Sequence, residues 1–153
     1  MRKWELNLST EILSLQQIND SSVGGKAYGL ARLQGMGLEV PPAFVIREAQ
    51  SGHYPTDLEQ QYLALACDKV AVRSSALGED GADASFAGQY ETVLNVSGYQ
   101  QLCRAIDECV ASAATDRARQ YQAEQTNVDV PSMNIVVQCM VDASVAGVVF
   151  TAD

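Results

Sequence analysis

The chain has 153 residues, enough for one domain with a buried core, and 47% of them are hydrophobic. Its formal net charge of −9 argues against a nucleic-acid partner, because a phosphate backbone needs a basic face. No apolar run approaches the ~20 residues that span a bilayer, so no membrane partner is expected.

Taken in chain order, Met1-Arg2-Lys3-Trp4-Glu5 lacks the apolar core of an export signal, and a cytoplasmic location is expected. Ile12, Leu13 and Leu15 predict a short strand before the turn-like Asn19-Asp20-Ser21-Ser22. A helix is predicted from about Gly24, with Ala27, Leu30, Ala31 and Leu33 at helical spacing and Gly35-Met36-Gly37 at its end. Pro41-Pro42 introduces a buried strand over Ala43 to Ile46. Thr56-Asp57-Leu58-Glu59 reads as a capping box for a helix from Asp57 to about Cys67. Strands are predicted at Lys69 to Arg73 and Thr92 to Val96. Ser97 is the expected cap of a long helix from about Tyr99 to Ala123, with Leu102, Ile106, Cys109, Val110 and Ala113 as its apolar stripe. Strands at 134–142 and 146–152 are expected to form a hairpin through Asp142-Ala143-Ser144-Val145. The fold class is therefore α/β, of the mixed α+β kind. Cys67, Cys103, Cys109 and Cys139 have no C-x-x-C spacing; free buried thiols are expected, and no zinc site.

The stretch with most chemical content runs from Val70 to Val96. A strand ending in Arg73 leads into a loop of small residues with Gly78, Gly81 and Gly88, and with Ser85, Phe86 and Ala87 near its far end. Small residues let backbone amides approach phosphate oxygens, and an arginine at the strand end offers a fork-shaped permanent charge. A glycine-rich connection beside a surface arginine is the plainer alternative. Val23-Gly24-Gly25-Lys26 puts Lys26 in the first turn of the predicted helix, where unpaired amides and the helix dipole favour an anion. With only ten Lys and Arg, a triphosphate site must be local, and Lys26 and Arg73 are the candidates. Glu79, Asp80 and Asp83 fit such a loop only if they face solvent or a metal. His53 lies in Gln50-Ser51-Gly52-His53-Tyr54-Pro55 with no supporting motif and reads as a solvated loop histidine.

Four blocks occur in a telling order: VGGK at 23–26, PPAFVI at 41–46, the VRSSA and DASFAGQYET stretch at 72–92, and IVVQCMV at 135–141 followed by AGVVFTAD at 146–153. Together they resemble the N-terminal nucleotide-binding domain of the phosphoenolpyruvate synthase and pyruvate phosphate dikinase family, to which rifampicin phosphotransferase also belongs. The resemblance spans about Val23 to Asp153 and implies a partial ATP-grasp fold in one domain over 1–153. On that reading residues 1–97 form a first subdomain, and 98–153 add a helix and hairpin leading into the rest of the ATP-grasp domain.

The resemblance implies ATP as cofactor, with Lys26 and Arg73 as phosphate ligands. Gly88, Thr92 and Val93 would line the nucleotide, Ser85 and Ala87 would lie in the loop over the phosphates, and Gln138 would stand at the adenine end. Read from the residues alone, Thr92 is equally a strand former and Gln138 equally a solvent-facing residue of an edge strand. In the family the Mg2+ ligands and the phosphohistidine domain lie beyond the region matched here, so no catalytic residue or metal ligand is expected in this chain. The family also carries a longer helical insert where this chain has only the stretch between Ile46 and Val70. The expected identity is thus an ATP-binding portion of a larger phosphotransferase that phosphorylates a histidine and then an acceptor. A non-catalytic interaction module, or one half of a split enzyme whose other half acts in trans, are the alternatives. The apolar end at Phe150-Thr151-Ala152-Asp153 favours a fragment.

Overall fold

The computed structural model of the protein describes residues 10–76, 91–121 and 133–149, the side chains of 116–121 excepted. Among the described residues, five strands form one sheet: β1 (Glu11–Ser14), β2 (Ala43–Ala49), β3 (Val70–Ser75), β4 (Thr92–Val96) and β5 (Met133–Cys139). Their order is β1-β2-β5-β3-β4, with every pair antiparallel. Three α-helices among the described residues accompany them: α1 (Gly25–Gly35), α2 (Leu58–Ala64) and α3 (Tyr99–Tyr121). This is the mixed α/β class expected from the sequence.

The pleat divides the sheet into two packed faces. Phe44, Ile46, Val70, Val72, Ile135 and Val137 face α3 and pack on Leu102, Ile106, Cys109, Val110 and Ala113. The predicted stripe of α3 is therefore the one that is buried. Val45 and Val136 face the other way, toward Leu15, Ile18, Val23 and Ala27. Because both faces are covered, β5 is buried along nearly its whole length rather than at alternate residues. Helix α1 ends as its glycines suggest. Gly37 takes φ 81°, its N–H binds the Gln34 carbonyl at 3.0 Å, and the Leu38 N–H binds the Leu33 carbonyl at 3.1 Å.

Several expectations need correction. The first strand stops at Ser14, and Leu15 opens a 3-10 turn. Helix α2 ends at Ala64, and Asp57 makes no side-chain cap bond. Its backbone lies at φ −95°, ψ 5°, not in the extended region a capping box requires. At the start of α3 the Gly98 carbonyl accepts from the Leu102 N–H at 3.0 Å, so the capping position belongs to Gly98; the Ser97 N–H bonds Gln101 Oε1 at 3.1 Å.

The C-terminal hairpin is not formed among the described residues: β5 stops at Cys139, and 146–149 are not strand. The reason is topological. Strand β5 is already paired on both sides, with β2 and β3, and has no edge left for a hairpin partner. Finally, Cys67 and Cys139 are joined as a disulfide, with Cα atoms 6.0 Å apart, leaving Cys103 and Cys109 free. The turn after α2 brings Cys67 beside the end of β5, where the Met140 N–H binds the Lys69 carbonyl at 2.9 Å.

Candidate functional site

The Gly24-Gly25-Lys26 turn rests on the end of β3. The Gly25 N–H donates to the Ala76 carbonyl at 3.1 Å, and the Ala27 N–H donates to the buried Ser75 Oγ at 3.1 Å. Gly24, at φ 87°, lies so close that an added Cβ would stand 2.4 Å from the Ser75 carbonyl oxygen. Two first-turn amides of α1 are therefore bonded to the sheet, which corrects the picture of an open cradle of unpaired amides. What Lys26 offers an anion is its ammonium, presented from a backbone held on both sides.

Strand register places the other candidates. Arg73 stands opposite Val136 on β5 and opposite Thr92 on β4. Val136 belongs to the α1-side core, so Arg73 and Thr92 project from that same face. Gln138 shares it, two residues along β5 from Val136, and is paired with Ala71 and Ala43. It therefore lies roughly 7 Å along the sheet from the Arg73 row and one strand, about 4.8 Å, across. Ser75 is two residues beyond Arg73 in the opposite direction, beside Lys26. Arg73, Thr92 and Gln138 thus share one sheet face, and the turn that carries Lys26 rests on the end of the strand that bears Arg73.

Gln138 is not on an edge strand. It is buried in the central strand, and its Nε2 reaches the Pro41 carbonyl at 3.5 Å. A shallow cavity of about 570 Å³ opens beside it, lined by Glu39, Val40, Pro41, Pro42, Cys139, Met140 and Val141. Val93 pairs with Val72 and packs in the α3-side core, so its side chain is on the opposite face from Arg73. Ser85, Ala87 and Gly88 lie outside the described residues, as do Glu79, Asp80 and Asp83.

Around the mouth of the β3–β4 pair, Ser74 ties the strands together: its N–H and Oγ both donate to the Glu91 carbonyl, at 3.2 and 3.1 Å. Beneath it the Cys109 thiol lies 3.7 Å from the Val72 carbonyl. Burial, with Glu91 and Glu108 adding repulsion, pushes this thiol up to about 12, against smaller opposing effects of the Ser74 backbone and the Lys26 charge. His53 is exposed, as expected, with Nδ1 3.1 Å from the Ser51 carbonyl. Its loop is anchored instead by Asp107, which accepts from the Gly52 N–H at 3.0 Å and the Tyr54 hydroxyl at 2.7 Å.

No group of three His, Cys, Asp or Glu able to hold a metal occurs among the described residues, and no helix among them is long and apolar enough to cross a membrane. Sequence reasoning overlooked Ser75 and Asn134 as partners of the VGGK turn. Ser75 carried a signal, since it sits two residues from Arg73 on one strand; Asn134 carried none.

A mixed α/β domain with an arginine and a buried amide on one sheet face, and a lysine-bearing turn docked at the end of the arginine's strand, is the class these features define. Residues 53–153 match the family described as pyruvate phosphate dikinase, AMP/ATP-binding domain, and the chain belongs to that family. It is 34% identical over 178 aligned positions to a prodigiosin synthesizing transferase of Serratia marcescens, covering 95% of this chain and 20% of that protein. Because that alignment is longer than the chain, it includes positions this chain lacks. Identity reaches 47% over 100 residues with phosphoenolpyruvate synthase of Helicobacter pylori, covering 63% of this chain and 12% of that protein. It is 48% over 85 residues with a rifampicin phosphotransferase of Streptomyces, covering 54% and 10%. The chain spans about a fifth of the length of such relatives, or less.

Proposed function

We propose that this chain binds ATP along the α1-facing side of its sheet, as the ATP-binding portion of a phosphoenolpyruvate-synthase-like phosphotransferase. Lys26 and Arg73 contact the phosphates, Thr92 flanks them, and Gln138 lies toward the adenine. Ser85, Ala87 and Gly88 belong to the loop over the phosphates, and Val93 contributes backbone. The observation that carries this reading is the docking of the Lys26 turn on the end of the strand that bears Arg73. Phosphoryl transfer depends mainly on positioning and charge neutralisation, which two fixed cations supply.

In the whole protein ATP would phosphorylate a histidine, and that phosphate would pass to pyruvate or another acceptor such as an antibiotic. Mg2+ and its ligands, the remaining ATP-grasp half and the phosphohistidine domain would come from further polypeptide, in cis or in trans, in the cytoplasm. The exposure of Val145, Val148 and Val149, at 86%, 79% and 88%, supports such a covering partner.

The test is a Mg-ATP titration followed by backbone amide NMR on the wild type and on Arg73→Ala. Shifts at Gly25, Lys26 and 84–88 that disappear in the variant support the reading. A folded wild type with no shifts at millimolar ATP would leave the interaction-module alternative standing in its place.

A further inference from the structure

We propose that Asn134 and Ser75 act as positioning residues for Lys26, a role that rests on the ATP-binding reading above. The two are directly paired across β3 and β5. Each reaches from the sheet into the segment that carries Lys26. Asn134 Nδ2 donates to the Ser22 carbonyl at 3.2 Å, and Ser75 Oγ accepts from the Ala27 N–H at 3.1 Å. Just before them the Asp20 carboxylate accepts from the Ser22 N–H at 2.8 Å, and between them the Gly25 N–H binds the Ala76 carbonyl. The backbone on either side of Lys26 is thus bonded to Ser75 and Ala76 at the end of β3, and the turn leading to it is bonded to β5.

Asn134 also reads the opposite neighbour. Strand β2 changes register between Ile46 and Ala49, and Glu48 there takes φ 50°. The Glu48 N–H donates to Asn134 Oδ1 at 3.0 Å. One side-chain amide therefore fixes the bulge and the lysine turn together, which requires a donor and an acceptor on the same short side chain. The consequence is geometric. A lysine is a point charge on a flexible stem, so its aim depends on where its Cα is held. Arg73 is on the same strand as Ser75, so the clasp sets the spacing of the two cations that would grip one phosphate chain.

The experiment measures ATP and adenosine affinities for the full chain as wild type, Asn134→Ala, Ser75→Ala and Lys26→Ala, and for each clasp variant combined with Lys26→Ala. None of these adds a charge. Misplacing the ammonium is expected to lower the ATP-to-adenosine affinity ratio about tenfold. Partial unfolding would weaken both ligands by the same factor and leave the ratio unchanged. In the Lys26→Ala background the clasp variants should have no further effect on the ratio, since they act through that side chain. An unchanged ratio with Lys26 present, or an equal fall without it, overturns the proposal. If Lys26→Ala itself leaves the wild-type ratio intact, the ATP-binding role of Lys26 fails, and the positioning role with it.

Discussion

Gly24 and Ser75 touch without room for a side chain between them: a Cβ on Gly24 would lie 2.4 Å from Ser75 Oγ and 2.5 Å from the Ser75 carbonyl carbon. Backbone cannot swing away as a side-chain tip can, and φ 87° already disfavours an L-residue. Gly24→Ala is expected to cost about 2 kcal/mol or more and to displace the Lys26 turn. Gly29, inside α1 with nothing within 4 Å of the place a methyl group would occupy, is the control. Gly29→Ala should stabilise by roughly 0.5–1 kcal/mol. Urea unfolding of the two variants measures both.

Arg73→Lys keeps the charge and discards the fork. If Arg73 grips phosphate oxygens, ATP binding should weaken by about tenfold with little change in unfolding midpoint. Calorimetric titration reads the first and thermal denaturation the second; equal affinity in the two proteins would place Arg73 outside the phosphate site.

The Cys67–Cys139 bridge closes a separation of 72 residues between the turn after α2 and the end of the central strand. Constraint of the unfolded chain on that scale is worth about 2–4 kcal/mol. A reducing agent, or the pair Cys67→Ser with Cys139→Ser, should therefore lower the melting temperature by several degrees. The same reductant should leave the Cys67→Ser, Cys139→Ser protein unaffected.

Cys109 supplies a pH dependence whose sign is fixed. Its folded thiol is raised from 9.0 to about 12, chiefly by burial, so the native state holds this proton more tightly than the unfolded chain does. The associated stability is present in full below about pH 9 and is lost as pH rises through the window from about 9 to about 12. Tyr54, Tyr99 and Cys103 are raised as well, also chiefly by burial, and act in the same sense. Cys109→Val should flatten part of this alkaline decline in denaturant melts taken across that window.

Asp107 holds the His53 loop to α3 through the Gly52 N–H and the Tyr54 hydroxyl. Asp107→Ala should cost about 1–3 kcal/mol by leaving those donors without their acceptor. It should also lower the Tyr54 pKa part of the way toward 10.0, because burial, the larger cause, remains. Tyrosinate absorbance against pH follows that shift.

Local features of this protein were legible from the chain alone. The glycine-terminated α1 and the apolar stripe of α3 follow from the helical period within single elements; the strand expected to stop at Arg73 runs on to Ser75, so the face those two share was not read. The motif blocks pointed to the family for the same reason: each is a short contiguous run. Strand order was not legible. It put β5 at the centre, buried Gln138 and denied β5 a hairpin partner. The Cys67–Cys139 bridge, the capture of the Gly25 and Ala27 amides by β3 and the reach of Asn134 to Ser22 and Glu48 were equally hidden. A period reports which residues share a face of their own element; which elements meet is settled by contacts between residues tens of positions apart, where the chain carries no local signal.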